Sequence, residues 1–144
     1  MAEIDHDACT ALSRHPADDA ATMTFGELVE RYLATEAQAD PLSAGKLARS
    51  TLLMTEVLRR VWAHYLIAAM VKATLDESRA YLKEIRTEQR RRGHDWAPRT
   101  WYRYRGRASA VFAWAERYRF VPKRSNPFTN ARCNRCVVFE RRYL

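Results

Sequence analysis

From residue 23 to residue 118 the apolar side chains recur at intervals of three and four, the period of a helix with one face turned inward. Thr24-Phe25-Gly26-Glu27 has the capping-box pattern, and Phe25, Leu28, Val29, Tyr32 and Leu33 follow at i, i+3, i+4, i+7 and i+8. A first helix is predicted, ending near Gln38. Asp40-Pro41 and Gly45 interrupt the period; Leu53, Met54, Val57, Leu58, Val61, Trp62 and Tyr65 then share one side of a second helix starting at about Leu47. Thr74-Leu75-Asp76-Glu77 is another capping box, opening a third helix whose inner face is Leu75, Ser78, Leu82, Ile85 and Gln89 and which ends at Arg90-Arg91-Arg92-Gly93. Pro98 suits the first turn of a fourth helix, in which Trp101, Tyr104, Ala108, Val111, Phe112, Ala115 and Tyr118 lie within about 120° of arc at about 100° per residue. Strand-like alternation is missing except for the short run Cys136 to Phe139, so the expected class is all-α.

Residues 1–22 hold five acids, one arginine and no apolar run, and cannot bury enough area to offset the entropy of ordering. We expect a flexible tail, neither signal peptide nor membrane anchor, and with it a cytoplasmic chain with no membrane partner. The 144 residues, 47% of them hydrophobic, are enough for one packed core. Charge changes the picture more. Residues 1–72 carry 7 Lys/Arg against 10 Asp/Glu, net −3, whereas residues 73–144 carry 18 against 7, net +11, which together give the formal +8. A positive field confined to one half concentrates polyanions, and releasing condensed counterions from nucleic acid favours binding. A solvated basic surface with no specific ligand has the same composition.

On the fourth helix Arg99, Arg103, Arg107 and Arg117 project opposite the apolar stripe, beside Gly106, Ala110 and Ala113. Small residues let a phosphodiester strand come close while guanidinium groups make short charge-assisted bonds to its oxygens. Taken singly, each arginine also fits an ordinary solvated face, and Arg105 fits a stem lying over apolar surface. Trp96, Tyr102 and Trp114 interleave with these cations and either offer stacking surfaces to unpaired bases or complete the core. The arginines at 90–92 suit the negative end of the third helix and so have a structural explanation of their own. Cys133 and Cys136 form a lone CxxC pair without two further ligands, and His6, His15, His64 and His94 are scattered, so neither metal nor cofactor is expected. No pair of titratable groups stands out as an acid–base couple, which disfavours a complete enzyme.

Thr100-Trp101-Tyr102-Arg103, the run through Phe112-Ala113-Trp114-Ala115, and Asn126-Pro127 together resemble the fourth helix and exit of the core-binding (SAM-like) domain of the phage integrase, or tyrosine recombinase, family. Thr24-Phe25-Gly26-Glu27-Leu28 looks like that domain's opening helix, and Val71 to Asp76 with Tyr81-Leu82 looks like its third-helix segment; the likeness spans residues 23–128. Arg119 stands where the family has a turn glycine, and Pro122 to Ser125 is longer than usual. The resemblance implies a four-helix orthogonal bundle that closes on double-stranded DNA as one half of a C-shaped clamp, with its second and fourth helices on the major-groove side. By position it implies DNA contacts from Lys46, Arg49 and Ser50 on the second helix, and from Arg99, Thr100, Arg103 and Arg107 on the fourth; Arg117 joins them from the face described above. Residues 129–144 would lead into a catalytic domain, which holds the family's Arg, Lys, His-x-x-Arg and nucleophilic Tyr. No such set occurs here, so no strand cleavage is expected, and partners would be DNA and a catalytic domain elsewhere, with oligomers forming only on DNA. A stand-alone helical regulator of recombination sites, or of the recombinase itself, would share these features.

Overall fold

In the computed structural model, residues 21–39 and 49–129 are described. Their order is α1 (Phe25–Ala39), α2 (Arg49–Trp62), α3 (Ile67–Met70), α4 (Leu75–Arg91) and α5 (Pro98–Arg117). The four long helices answer to the four expected, and α3 is an additional single turn. Among the described residues there is no strand, only one isolated antiparallel bridge between Thr24 and Leu66. No described helix is long and apolar enough to cross a membrane.

The caps form where the sequence places them. Thr24 Oγ1 accepts the Glu27 N–H at 3.2 Å. At Thr74 both halves of the box are present, the hydroxyl accepting from Glu77 N and the Glu77 carboxylate accepting from Thr74 N. Before α1 the chain runs against the segment after α2: Phe25 N donates to Tyr65 O at 2.8 Å and Ile67 N to Met23 O at 3.1 Å. This pairing explains α3, because it holds Leu66 extended and lets the next turn bury Ile67 and Met70. It also brings α1 close to α2; a Cβ on Gly26 would lie 3.2 Å from Ala63 O.

Phe25, Leu28, Val29 and Tyr32 are buried from α1, and Ser78, Leu82, Ile85 and Gln89 from α4. At the centre stands Trp62. Its indole N–H donates to Tyr81 O at 3.2 Å, its ring stacks on Phe128 at 5.1 Å, and Phe25 meets it edge-on at 5.2 Å. Burying aromatics of this size supplies much of a small domain's stabilisation, about 3–5 kcal/mol lost for each truncated to alanine.

Three sequence expectations about the core need correction. Leu53 is 58% exposed, although the apolar pattern of the second helix put it inside. That pattern is nearly half a turn wide, and the buried line runs along its other edge through Thr55, Leu58 and Trp62. Thr55 can be buried because its hydroxyl donates to Thr51 O at 2.8 Å. Leu75 and Tyr118, at the ends of their helices, overhang the core and are 45% and 46% exposed. The expected start near Leu47 lies outside the described residues, as do the tail residues 1–20 and the Cys136 to Phe139 run.

Both later helices end in the same way. After α4, Gly93 takes φ 86° while Gly93 N donates to Arg90 O and His94 N to Gln89 O. After α5, Arg119 takes φ 64°, with Arg119 N on Glu116 O and Phe120 N on Ala115 O. Phe120 then stacks on Trp114 at 5.6 Å, the apolar contact that accompanies such a cap.

Candidate nucleic-acid interface

The outward side of α5 is defined by what covers the rest of it. Trp101, Tyr104, Ala108, Val111, Phe112 and Ala115 face the core. A second flank is covered by the loop after Phe120. There Asn126 Nδ2 donates to Ser109 O at 2.9 Å and to its hydroxyl at 3.1 Å, Asn126 N donates to the Glu116 carboxylate at 2.9 Å, and Phe128 N donates to Asn126 Oδ1 at 3.1 Å. Arg105 belongs to this covered flank: its guanidinium lies 5.3 Å from the Tyr102 ring centre and donates to Thr129 O at 2.9 Å.

The remaining arc carries Arg99, Arg103, Gly106, Arg107, Ala110, Ala113 and Arg117, with Gly106 and Ala113 exposed and Ala110 half-buried. Arg99, Arg103 and Arg117 are exposed and Arg107 is half-buried. With i, i+4 spacing, Arg99, Arg103 and Arg107 form a column whose members sit about 6 Å apart along the axis. Gly106 is open beside them, since a Cβ there would meet nothing within 4 Å. Arg117 is about 15 Å further along than Arg107, at the far end of the same arc.

Acids do not neutralise this column. Ion pairs among the described residues join Arg59 to Glu30 and Glu56, Arg60 and Arg92 to Glu88, Arg79 to Asp76, and Arg90 to Asp95. All lie on α1, α2, α4 or the turn after α4. The α5 segment has five arginines and one carboxylate, Glu116, which is engaged by Asn126. At Glu88, burial pushes the carboxyl up, but the Gln89 amide, Arg60 and Arg92 outweigh it and hold it below the ordinary range.

The other candidates divide. Arg49 and Ser50 are exposed in the first turn of α2, in no ion pair among the described residues. Thr100 is half-buried in the first turn of α5, and Lys46 lies outside the described residues, with Cys133 and Cys136. Trp96 and Trp114, offered as stacking surfaces, belong to the core instead. Trp96 is 7% exposed and stacked on Tyr104 at 4.6 Å; Trp114 is 5% exposed, enclosed by Tyr32, Tyr118 and Phe120. Trp114 lies outside the apolar stripe of the helical wheel, and Tyr32 of α1 together with Tyr118 and Phe120 at the end of α5 buries it. Arg90 and Arg92 are tied to Asp95 and Glu88, in keeping with the structural explanation for that turn. The Asn126 latch was legible only as an Asn-Pro pair; its bonds to Ser109 and Glu116 carry no local pattern.

No group of three or more His, Cys, Asp or Glu that could hold a metal occurs among the described residues. No protein-family model matches the chain, and no curated protein or solved structure matches it.

Proposed function

We propose that the chain binds duplex DNA as a core-binding domain of the tyrosine recombinase type, holding a recombination site for the catalytic domain of such a recombinase. The observation that carries this reading is the column Arg99, Arg103 and Arg107, the first two exposed and the third half-buried, without acid partners among the described residues, and next to the open Gly106. Cations so placed can meet phosphate oxygens at the cost of little reorganisation, and the small residues beside them admit the strand. The four long helices are taken as the integrase-type bundle, with α2 and α5 as the helices facing DNA. Arg49, Ser50, Thr100, Arg117 and Lys46 would extend the contact. Most of these bonds go to phosphate, so they set position and register while sequence preference comes from elsewhere. Strand cleavage is left to the catalytic domain.

Fluorescence anisotropy with a labelled duplex at two salt concentrations tests the reading. If four cations each neutralise a phosphate, affinity should fall roughly a hundredfold between about 50 and 200 mM salt. Failure to bind at the lower concentration would overturn it.

A further inference from the structure

Charge on α4 is split between two flanks. Glu84 and Glu88 lie toward α2, where Glu84 accepts from the Tyr65 hydroxyl and Glu88 from Arg60. On the other flank Arg79, Lys83, Arg86 and Arg90 follow at i, i+4, i+7 and i+11, within about 60° of arc and over about 16 Å of axis. Lys83, Arg86, Thr87 and Arg90 line a concavity of about 220 Å³, and Lys83 and Thr87 also border the neighbouring hollow that holds Glu84 and Glu88. Only the ends of the row meet acids, Arg79 reaching Asp76 at 3.5 Å and Arg90 reaching Asp95 at 3.3 Å; Lys83 and Arg86 are in no ion pair among the described residues.

Like charges at i, i+3 and i, i+4 repel, so the row weakens the helix that carries it unless a polyanion relieves it. Three cations around one hollow match a phosphate group, and a straight row matches a phosphate series better than an isolated ion. A membrane surface is a poorer fit, because interfacial helices set large apolar side chains beside their cations. Between Arg79 and Arg90, α4 exposes none. We propose that this flank of α4 is a second nucleic-acid surface, which takes the backbone of a duplex other than the one held by α5. Calling it the second rests on the α5 reading; its affinity for a duplex does not. One domain touching two duplexes would help bring two DNA sites together.

The test is capture. The full chain is loaded on a short immobilised duplex, washed, and offered a fluorescent duplex of unrelated sequence at low salt. The intact chain should retain the second duplex. Lys83→Gln/Arg86→Gln should load normally and lose roughly tenfold in capture, whereas Arg103→Ala/Arg107→Ala should load far less duplex, through α4 alone, and capture no second one. Circular dichroism verifies that each variant is folded, and Lys83→Arg should restore capture lost by Lys83→Gln. Capture unchanged in the Lys83/Arg86 variant would overturn the proposal, since it would then arise from pairing between protein copies. Binding of phosphatidylserine vesicles but no second duplex, lost in that variant, would overturn it too. Normal loading by the Arg103/Arg107 variant, with loading lost in the Lys83/Arg86 variant, would refute the α5 reading and leave α4 as the duplex surface.

Discussion

Arg103 sits mid-column on α5, exposed and without an acid partner among the described residues, so its replacement removes charge and little packing. Arg103→Ala should therefore weaken binding to unrelated duplexes by the same factor, about tenfold or less. Anisotropy titrations with several duplexes check this, and loss confined to one sequence would mean that Arg103 reads a base. Arg119 offers a test on the stability side. It occupies the left-handed cap after α5 at φ 64°, where a side chain is strained and glycine is not. Arg119→Gly should raise stability by about 1 kcal/mol in urea melts, because the Schellman bonds stay while the strain goes.

Helices were legible in so far as their signals are local. Thr74 caps α4 with both bonds of its box, and Thr74→Ala should cost about 1 kcal/mol in a thermal melt. Burial on α2 was less legible, because a broad apolar pattern does not say which edge faces in, and a buried threonine satisfied by the preceding turn looks polar on paper. Likewise the single turn α3 depends on pairing between residues about forty apart in sequence, which leaves no periodic trace. Half of the candidate site was readable: the arginine column follows from helical spacing alone. Its borders did not, since Arg105 is held by the chain that returns over α5, and Trp114 is buried by α1 and by the turn that ends α5.

Between elements, Arg60 and Arg92 hold Glu88 and so tie α2 to the end of α4. The folded state keeps the Glu88 carboxyl below its unfolded range. Its contribution is thus present above the ordinary glutamate pKa and is lost as pH falls through the lower folded value. Glu88→Gln should cost about 1 kcal/mol or less near neutrality, since both arginines remain solvated, and nothing in acid. Melts of the two proteins that stayed equally far apart at low pH would contradict this.

At the scale of the whole molecule, charge separates from stability. Acids and their partners on α1, α2 and α4 knit those helices together, and α5 spends none of its outward arginines there. The net +11 of residues 73–144 was visible in the sequence, and so was the α5 column; the division of the other cations into an α4 row and ion-paired turn residues was not, because pairing depends on which helices meet. The most direct measurement is the dependence of duplex affinity on salt for the intact chain and for Arg99→Ala/Arg103→Ala/Arg107→Ala, with folding verified by circular dichroism. If the column holds three phosphates, the slope of log affinity against log salt should become shallower by about 2.7. An unchanged slope in a folded variant would contradict the account.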